Sequence, residues 1–185
     1  MGRIEDLAST FGRHISARWQ RTIAGAQRVL LVIYDKDLER TFRARKAEFE
    51  QRTRSAGHGW VDVDCTRYFA EWIARDEYRE AYFEQPEDLK LKLGGEFLAA
   101  VADSICEELR QVDEDTVVAV SGVGQLYGFL RVSELIRAVE PAIEGRLVVF
   151  FPGSKDGDHY RLLDAQDGAN YLANSITLHS TGAVA

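Results

Sequence analysis

The residues able to do chemistry fall into four short clusters: Tyr34-Asp35-Lys36-Asp37, Asp64-Cys65-Thr66, Ser121-Gly122-Val123-Gly124-Gln125 and Pro152-Gly153-Ser154-Lys155. Each follows an apolar, β-branched run. In an open parallel sheet that position is the carboxyl end of a strand, where ligands bind. Asp35, Asp37 and Asp64 brought to adjacent strand ends would hold Mg²⁺ through their carboxylates. Asp is equally a residue that caps the start of a helix, so the same positions also read as caps. The strand-end candidates for a ligand are Asp35, Asp64, Ser121, Gly122 and Gly124.

The familiar catalytic patterns are missing. A Walker loop needs a lysine and a hydroxyl after its second glycine, and here Gly128 is followed by Phe129. Gly122, Gly124 and Gly128 also miss the GxGxxG spacing by one residue. What remains is a tight strand-to-helix turn that uses glycine for backbone freedom. Ser121 has no G-x-S-x-G elbow around it. His14, His58, His159 and His179 lie on separate segments without an H-x-x-x-H pair. The expectation is a chain with no catalytic residue and no metal or other cofactor. The alternative is a nucleotide- or metal-dependent enzyme built on the strand-end residues.

Those clusters need a scaffold. Apolar runs at 29–34 (VLLVIY), 60–64 (WVDVD), 116–121 (TVVAVS) and 146–151 (RLVVFF) read as strands, with a short edge strand near 175–178 as a fifth. Helical spacing predicts helices over 4–19, 37–55, 66–75, 77–83, 96–112 and 126–142. Pro152 and Gly153 are expected to end the fourth strand. Alternating strands and helices imply an α/β fold: a mainly parallel sheet of four or five strands with helices on both faces, Rossmann-like in its three layers but without a P-loop. The 185 residues read as one domain, 1–185, with helix 4–19 packed on it and a polar, loop-rich tail over 152–185.

Composition narrows the function. The net charge is −7, from 23 basic and 30 acidic residues, which makes the isolated chain a poor tight binder of DNA. A basic face on helix 37–55, from Arg40, Arg43, Arg45, Lys46, Arg52 and Arg54, points several ways at once and reads as a solvated helix. The two cysteines, Cys65 and Cys106, have no C-x-x-C spacing and read as buried reduced thiols. The start MGRIEDLAST lacks the apolar stretch of a signal peptide, and no run reaches the roughly 20 apolar residues of a membrane span. A cytoplasmic, non-membrane protein is expected.

Two surfaces suit a protein partner. The segment EYREAYFEQPEDL sets Tyr78, Tyr82 and Phe83 among Glu77, Glu80 and Glu84. Aromatics dominate interface hot spots, and acids guide encounter. The second surface is the tail around Tyr160, Arg161 and Tyr171.

The segments YDKDLERTFRARKAEFEQRTRSAGHGW, AEWIARDEYREAYFEQPEDL, SGVGQLYGFLRVSELI and RLVVFFPGSKDGDHYRLLDAQDGANYLA together resemble the BrxB family of bacteriophage exclusion (BREX) systems. The likeness covers almost the whole chain, with departures at Tyr127 and Ala169. It implies an accessory or adaptor component of a defence system that marks host DNA by adenine methylation and blocks phage replication. It also implies association with PglZ, a phosphatase-like protein of the same system. The resemblance carries no catalytic residue onto this chain.

Overall fold

Six consecutive buried residues make β1 (Val29–Tyr34) a strand covered on both faces, as its unbroken β-branched run requires. The computed structural model describes residues 2–157, 159–163, 165–169 and 173–178. The remaining strands are β2 (Gly59–Asp64), β3 (Thr116–Ser121), β4 (Arg146–Asp156), β5 (His159–Leu162), β6 (Ala165–Ala169) and β7 (Asn174–Ile176). The helices are α1 (Arg3–Ser16), α2 (Glu39–Ser55), α3 (Tyr68–Ala74), α4 (Arg79–Glu84), α5 (Pro86–Lys92), α6 (Leu98–Arg110) and α7 (Val132–Val139).

The main sheet is parallel, in the order β2-β3-β4-β1-β7. From β1 the chain travels across two strands to β2, then returns one strand at a time to β4. The direction of winding therefore reverses once. With crossovers of a single hand, a reversal sends helices to opposite faces. One face carries α1 and α2 over Leu30, Val32, Tyr34, Trp60, Val117, Ala119, Val148 and Phe150. The other carries α6 and α7 over Val29, Leu31, Ile33, Val63, Val118, Val120, Leu147, Val149 and Phe151. β2 lies at the sheet edge, so its alternating sequence exposes Asp62 and Asp64 while burying Trp60 and Val63.

The α1/α2 face is an aromatic core. Phe150 meets Phe42 at 4.6 Å, Phe49 at 5.0 Å and Trp60 at 6.4 Å between ring centroids. Phe11 of α1 joins Phe49 at 5.3 Å. Tilted and edge-to-face contacts of this kind add to the area that the rings bury.

Several expected boundaries move, each for a local reason. The expected helix 126–142 is broken into a 3₁₀ turn (Val123–Leu126), an irregular stretch and α7. Gly128 takes φ = 81°, a left-handed conformation that stops a helix. Phe129 then folds back to stack on Phe69 at 3.7 Å. Helix α5 goes beyond the sequence reading: Pro86 opens it at its first turn rather than merely punctuating the chain.

The tail is a larger correction. β4 does not end at Pro152 but runs to Asp156, and its outer half pairs antiparallel with β5, which pairs with β6. Gly153 permits this, because a Cβ there would stand 1.9 Å from the Arg161 carbonyl oxygen. The stretch read as loop is therefore largely a β-meander whose Tyr160 and Leu162 point into the core. The expected fifth strand is present as β7, pairing parallel with β1. Among the described residues no helix is long and apolar enough to cross a membrane.

Phe150→Ala removes the hub of the aromatic core. It is expected to cost about 3–5 kcal/mol of stability, in line with buried Phe truncations, as measured by urea denaturation. A loss under about 1 kcal/mol would show that the rings repack without it.

Candidate functional site

Parallel register places Asp64 of β2 beside Ser121 of β3. The charged face of α2 passes over both. Lys46 Nζ donates to Asp62 Oδ2 at 2.7 Å and to Ser121 Oγ at 3.2 Å. Arg43 Nε donates to Glu39 Oε1 at 2.7 Å, and its other arm to Thr66 Oγ1 at 3.2 Å. The buried Tyr34 hydroxyl donates to Glu39 Oε2 at 2.5 Å. Burial, then the Glu39 carboxylate, pushes that phenol well above its ordinary value.

Asp64 is occupied as a cap. Its Oδ1 accepts from the Thr66 amide at 2.9 Å and from the Thr66 hydroxyl. Burial raises its carboxyl, but the Thr66 hydrogen bonds, helped by Lys46 and Arg43, leave it below the ordinary range. Asp35 caps the next turn, accepting from the Asp37 amide at 3.0 Å, and stands two strands away from Ser121. The structure thus brings Asp64, Ser121 and Gly122 together and leaves Asp35 apart. No group of three or more His, Cys, Asp or Glu residues able to hold a metal occurs among the described residues.

Ser121 is 4% exposed. The Lys46 ammonium already donates to both Asp62 and the serine oxygen, so it offers no free base to take the hydroxyl proton. Cys65 is buried, and burial together with Asp64 pushes its thiol up to about 12, far from the thiolate that nucleophilic chemistry needs. Burial likewise raises the Cys106 thiol.

The glycine loop turns inward. Gly122 has φ = 75°, and a Cβ there would lie 2.6 Å from both Asp64 Oδ1 and Thr66 Oγ1. The amides of Gln125, Tyr127, Phe129 and Leu130 donate to the carbonyls of Gly122, Gly124 and Leu126. Gly124 backs against Pro152, a Cβ there meeting the proline ring at 3.2 Å. These amides hold the turn together, whereas a phosphate cradle aims its amides at the ligand.

The basic face proposed for α2 is largely consumed within the molecule. Arg45 pairs with Glu5 and Glu48, Arg54 with Glu50, and Arg52 donates to Ser9.

The second feature is an arm, residues 74–92, that leads from α3 through α4 and α5. Neither α4 nor α5 contains a buried residue. Tyr78 is 59% exposed, Phe83 67% and Leu91 87%. Glu77, Glu80 and Glu84 are exposed beside them. Tyr82 is half-buried under the Lys92 ammonium, 5.5 Å from the ring centroid. Lys92 also bonds Asp76 at 2.9 Å, and Asp76 accepts from the Tyr78 amide at 2.8 Å. One lysine thus ties the end of the arm to its start. Leu91 and this tie were missed by sequence reading; the proline opening α5 was the signal that a second helix follows.

The alternative tail surface divides. Arg161 is exposed, but Tyr160 is 5% exposed and packs on Phe151, so it is a core residue and not a surface anchor. Tyr171 lies outside the described residues, as does His179.

The arm, the glycine loop and the meander all fall within residues 63–176, which match the family described as BREX protein BrxB. The chain belongs to the BrxB family. The match covers more than half of the chain and begins inside β2, so α1, β1 and α2 precede it. No curated protein and no solved structure gives a significant match. Membership suggests a role in BREX phage defence.

Two outcomes follow from this geometry. Gly122→Ala is expected to lose about 1–3 kcal/mol from the left-handed backbone alone, with the clash at Asp64 and Thr66 adding to it; chemical denaturation reads the change. For the arm, the Lys92 bond and the Tyr78 amide lower the Asp76 carboxyl, and Asp76 raises Lys92. A lowered carboxylate stabilises above its ordinary value, about 3.9, and that contribution is lost as pH falls. The raised ammonium contributes below about 10.4 and is lost as pH rises. Amide protection in α4 and α5 should therefore fall below about pH 4 while α6 keeps its own, and Asp76→Asn should show the same loss at pH 7.

Proposed function

We propose that this BrxB-family chain acts in BREX defence as a non-catalytic adaptor that holds PglZ through the arm at 74–92, in the cytoplasm, in support of host DNA methylation and phage restriction. The observation that carries the reading is the exposure of Tyr78, just before α4, of Phe83 on α4 and of Leu91 on α5. Of the residues in these two short helices only Tyr82, Leu89 and Lys92 are half-buried, so the helices gain little from the fold they belong to. Large apolar side chains held out in this way mark interaction sites.

The rest of the molecule agrees with an adaptor. At the strand ends, Asp35 and Asp64 cap turns, Ser121 is buried under a lysine, and the glycine loop bonds to itself. Glu77 and Glu84 are exposed on the same segment and Glu80 pairs with Arg79, so the segment keeps negative charge that favours a partner surface bearing Lys or Arg. The PglZ assignment rests on the family likeness.

Co-purification of this chain with PglZ, followed by titration, tests the proposal. Phe83→Ala and Leu91→Ala are expected to cost at least about 2 kcal/mol each, roughly a thirtyfold loss of affinity. Glu80→Lys should slow association and flatten its salt dependence. Separate elution at micromolar concentrations would remove PglZ as partner. Unchanged affinity in both apolar variants, with circular dichroism showing them folded, would remove the arm.

A further inference from the structure

At the opposite end of the sheet, under the amino ends of β1 and β4, lies a cleft of about 580 Å³. Its charged lining is Arg18, Arg28 and Arg146 with His14 beside them, and among the described residues no Asp or Glu lines it. That is unexpected in a chain whose acids outnumber its bases by 30 to 23. Elsewhere on the surface Arg21, Arg43, Arg45 and Arg54 each sit against a carboxylate.

Among the described residues Arg28 and Arg146 make no ion pair. Arg28 donates to the carbonyls of Ile143, Glu144 and Arg21 at 2.6–2.9 Å. Arg146 donates to those of Gly145 and Gln20 at 3.0 and 3.2 Å, and its guanidinium lies 4.7 Å from the Trp19 ring centroid. His58 stacks on Trp19 at 3.7 Å, so the indole is held in place. Carbonyls satisfy donors but leave the net charge, so two cations stay near each other in a recess. Burial and then the Arg28 charge lower Arg146. Desolvation and then the Arg146 charge lower His14.

We propose that this cleft binds a small organic phosphate, its anionic group held by Arg146, Arg28 and Arg18 and its body against Ile23 and Trp19. Each guanidinium has five donors, and those not given to carbonyls remain to donate charge-assisted bonds to a phosphate. The volume falls within the usual range for small-molecule sites, about 300–1,000 Å³. A dianion offsets the charge that the fold leaves unpaired. The site is independent of the strand-end clusters and of the arm.

The test is thermal stabilisation of the full chain by inorganic phosphate and by AMP, against sodium chloride at equal ionic strength. A ligand that binds only the folded state raises Tm saturably. AMP is expected to bind more tightly than phosphate, since it also fills the apolar wall. Arg18→Glu, at an exposed side chain with no partner among the described residues, should leave the unliganded Tm unchanged and weaken AMP about tenfold or more, the worth of one charge-assisted bond. Arg146→Met should do the same if it folds. Bound AMP should also raise the His14 titration followed by NMR, because the anion cancels the Arg146 charge. Absence of saturable binding by either probe at or below about 1 mM, or binding that Arg18→Glu and any folded Arg146→Met leave unchanged, would overturn the assignment.

Discussion

The position of β1 between β4 and β7 is the constraint on which the other features depend. It is the first strand of the chain, all six of its residues are buried, and it pairs along its whole length with β4. Once it occupies that place, β2 must form at the far side of the sheet. The chain then crosses on one face through α2 and returns on the other through α6 and α7. Both cores follow from that reversal, including the rings around Phe150. So does the meeting of the charged face of α2 with the ends of β2 and β3, where Lys46, Arg43 and Glu39 take up the polar groups that the strands present.

The charges divide into three populations with different consequences. Those of α2 are mostly neutralised by near neighbours, so that helix is a saturated surface although more than half of it is charged. Exposed pairs of this type each contribute only about 0–1 kcal/mol, so their effect is to leave little free charge for a ligand. On the arm Asp76, Glu80 and Glu87 pair with nearby cations, while Glu77 and Glu84 stand exposed beside apolar side chains. At the amino ends of β1 and β4 the arginines bond to carbonyls and, among the described residues, meet no carboxylate. Recognition in this protein is therefore expected where the fold leaves charge over, and the strand ends, where parallel sheets usually place chemistry, are closed by internal bonds.

Much of the scaffold was legible before the structure. β1 and β3 fall on the residues that their apolar runs mark, and β2 shows the alternation of a half-exposed edge. The capping reading of Asp35 and Asp64 was available from residue type alone, as was the tight glycine turn. The tail was misread because its Gly, Asp and Asn content resembles loop. The meander forms there only because Gly153 lets the backbone of β5 pass at contact distance. Tyr160 was misplaced with it, since a short polar strand does not show which of its faces meets the core.

The sequence by itself determined the elements, the parallel class of the sheet and the lack of a recognised catalytic motif, because these depend on local periodicity and on residue types at short spacing. Tertiary structure alone decided which side chains are spent and which are left over. Ser121 lies under a lysine 75 positions away, Asp76 is tied to a lysine 16 positions away, and Arg28 meets Arg146 across the base of a cleft. Such pairings depend on strand order and on the face each helix takes, and no local pattern encodes either. The exposure of Phe83 and Leu91 is likewise a property of what fails to pack against them, which only the folded chain reveals.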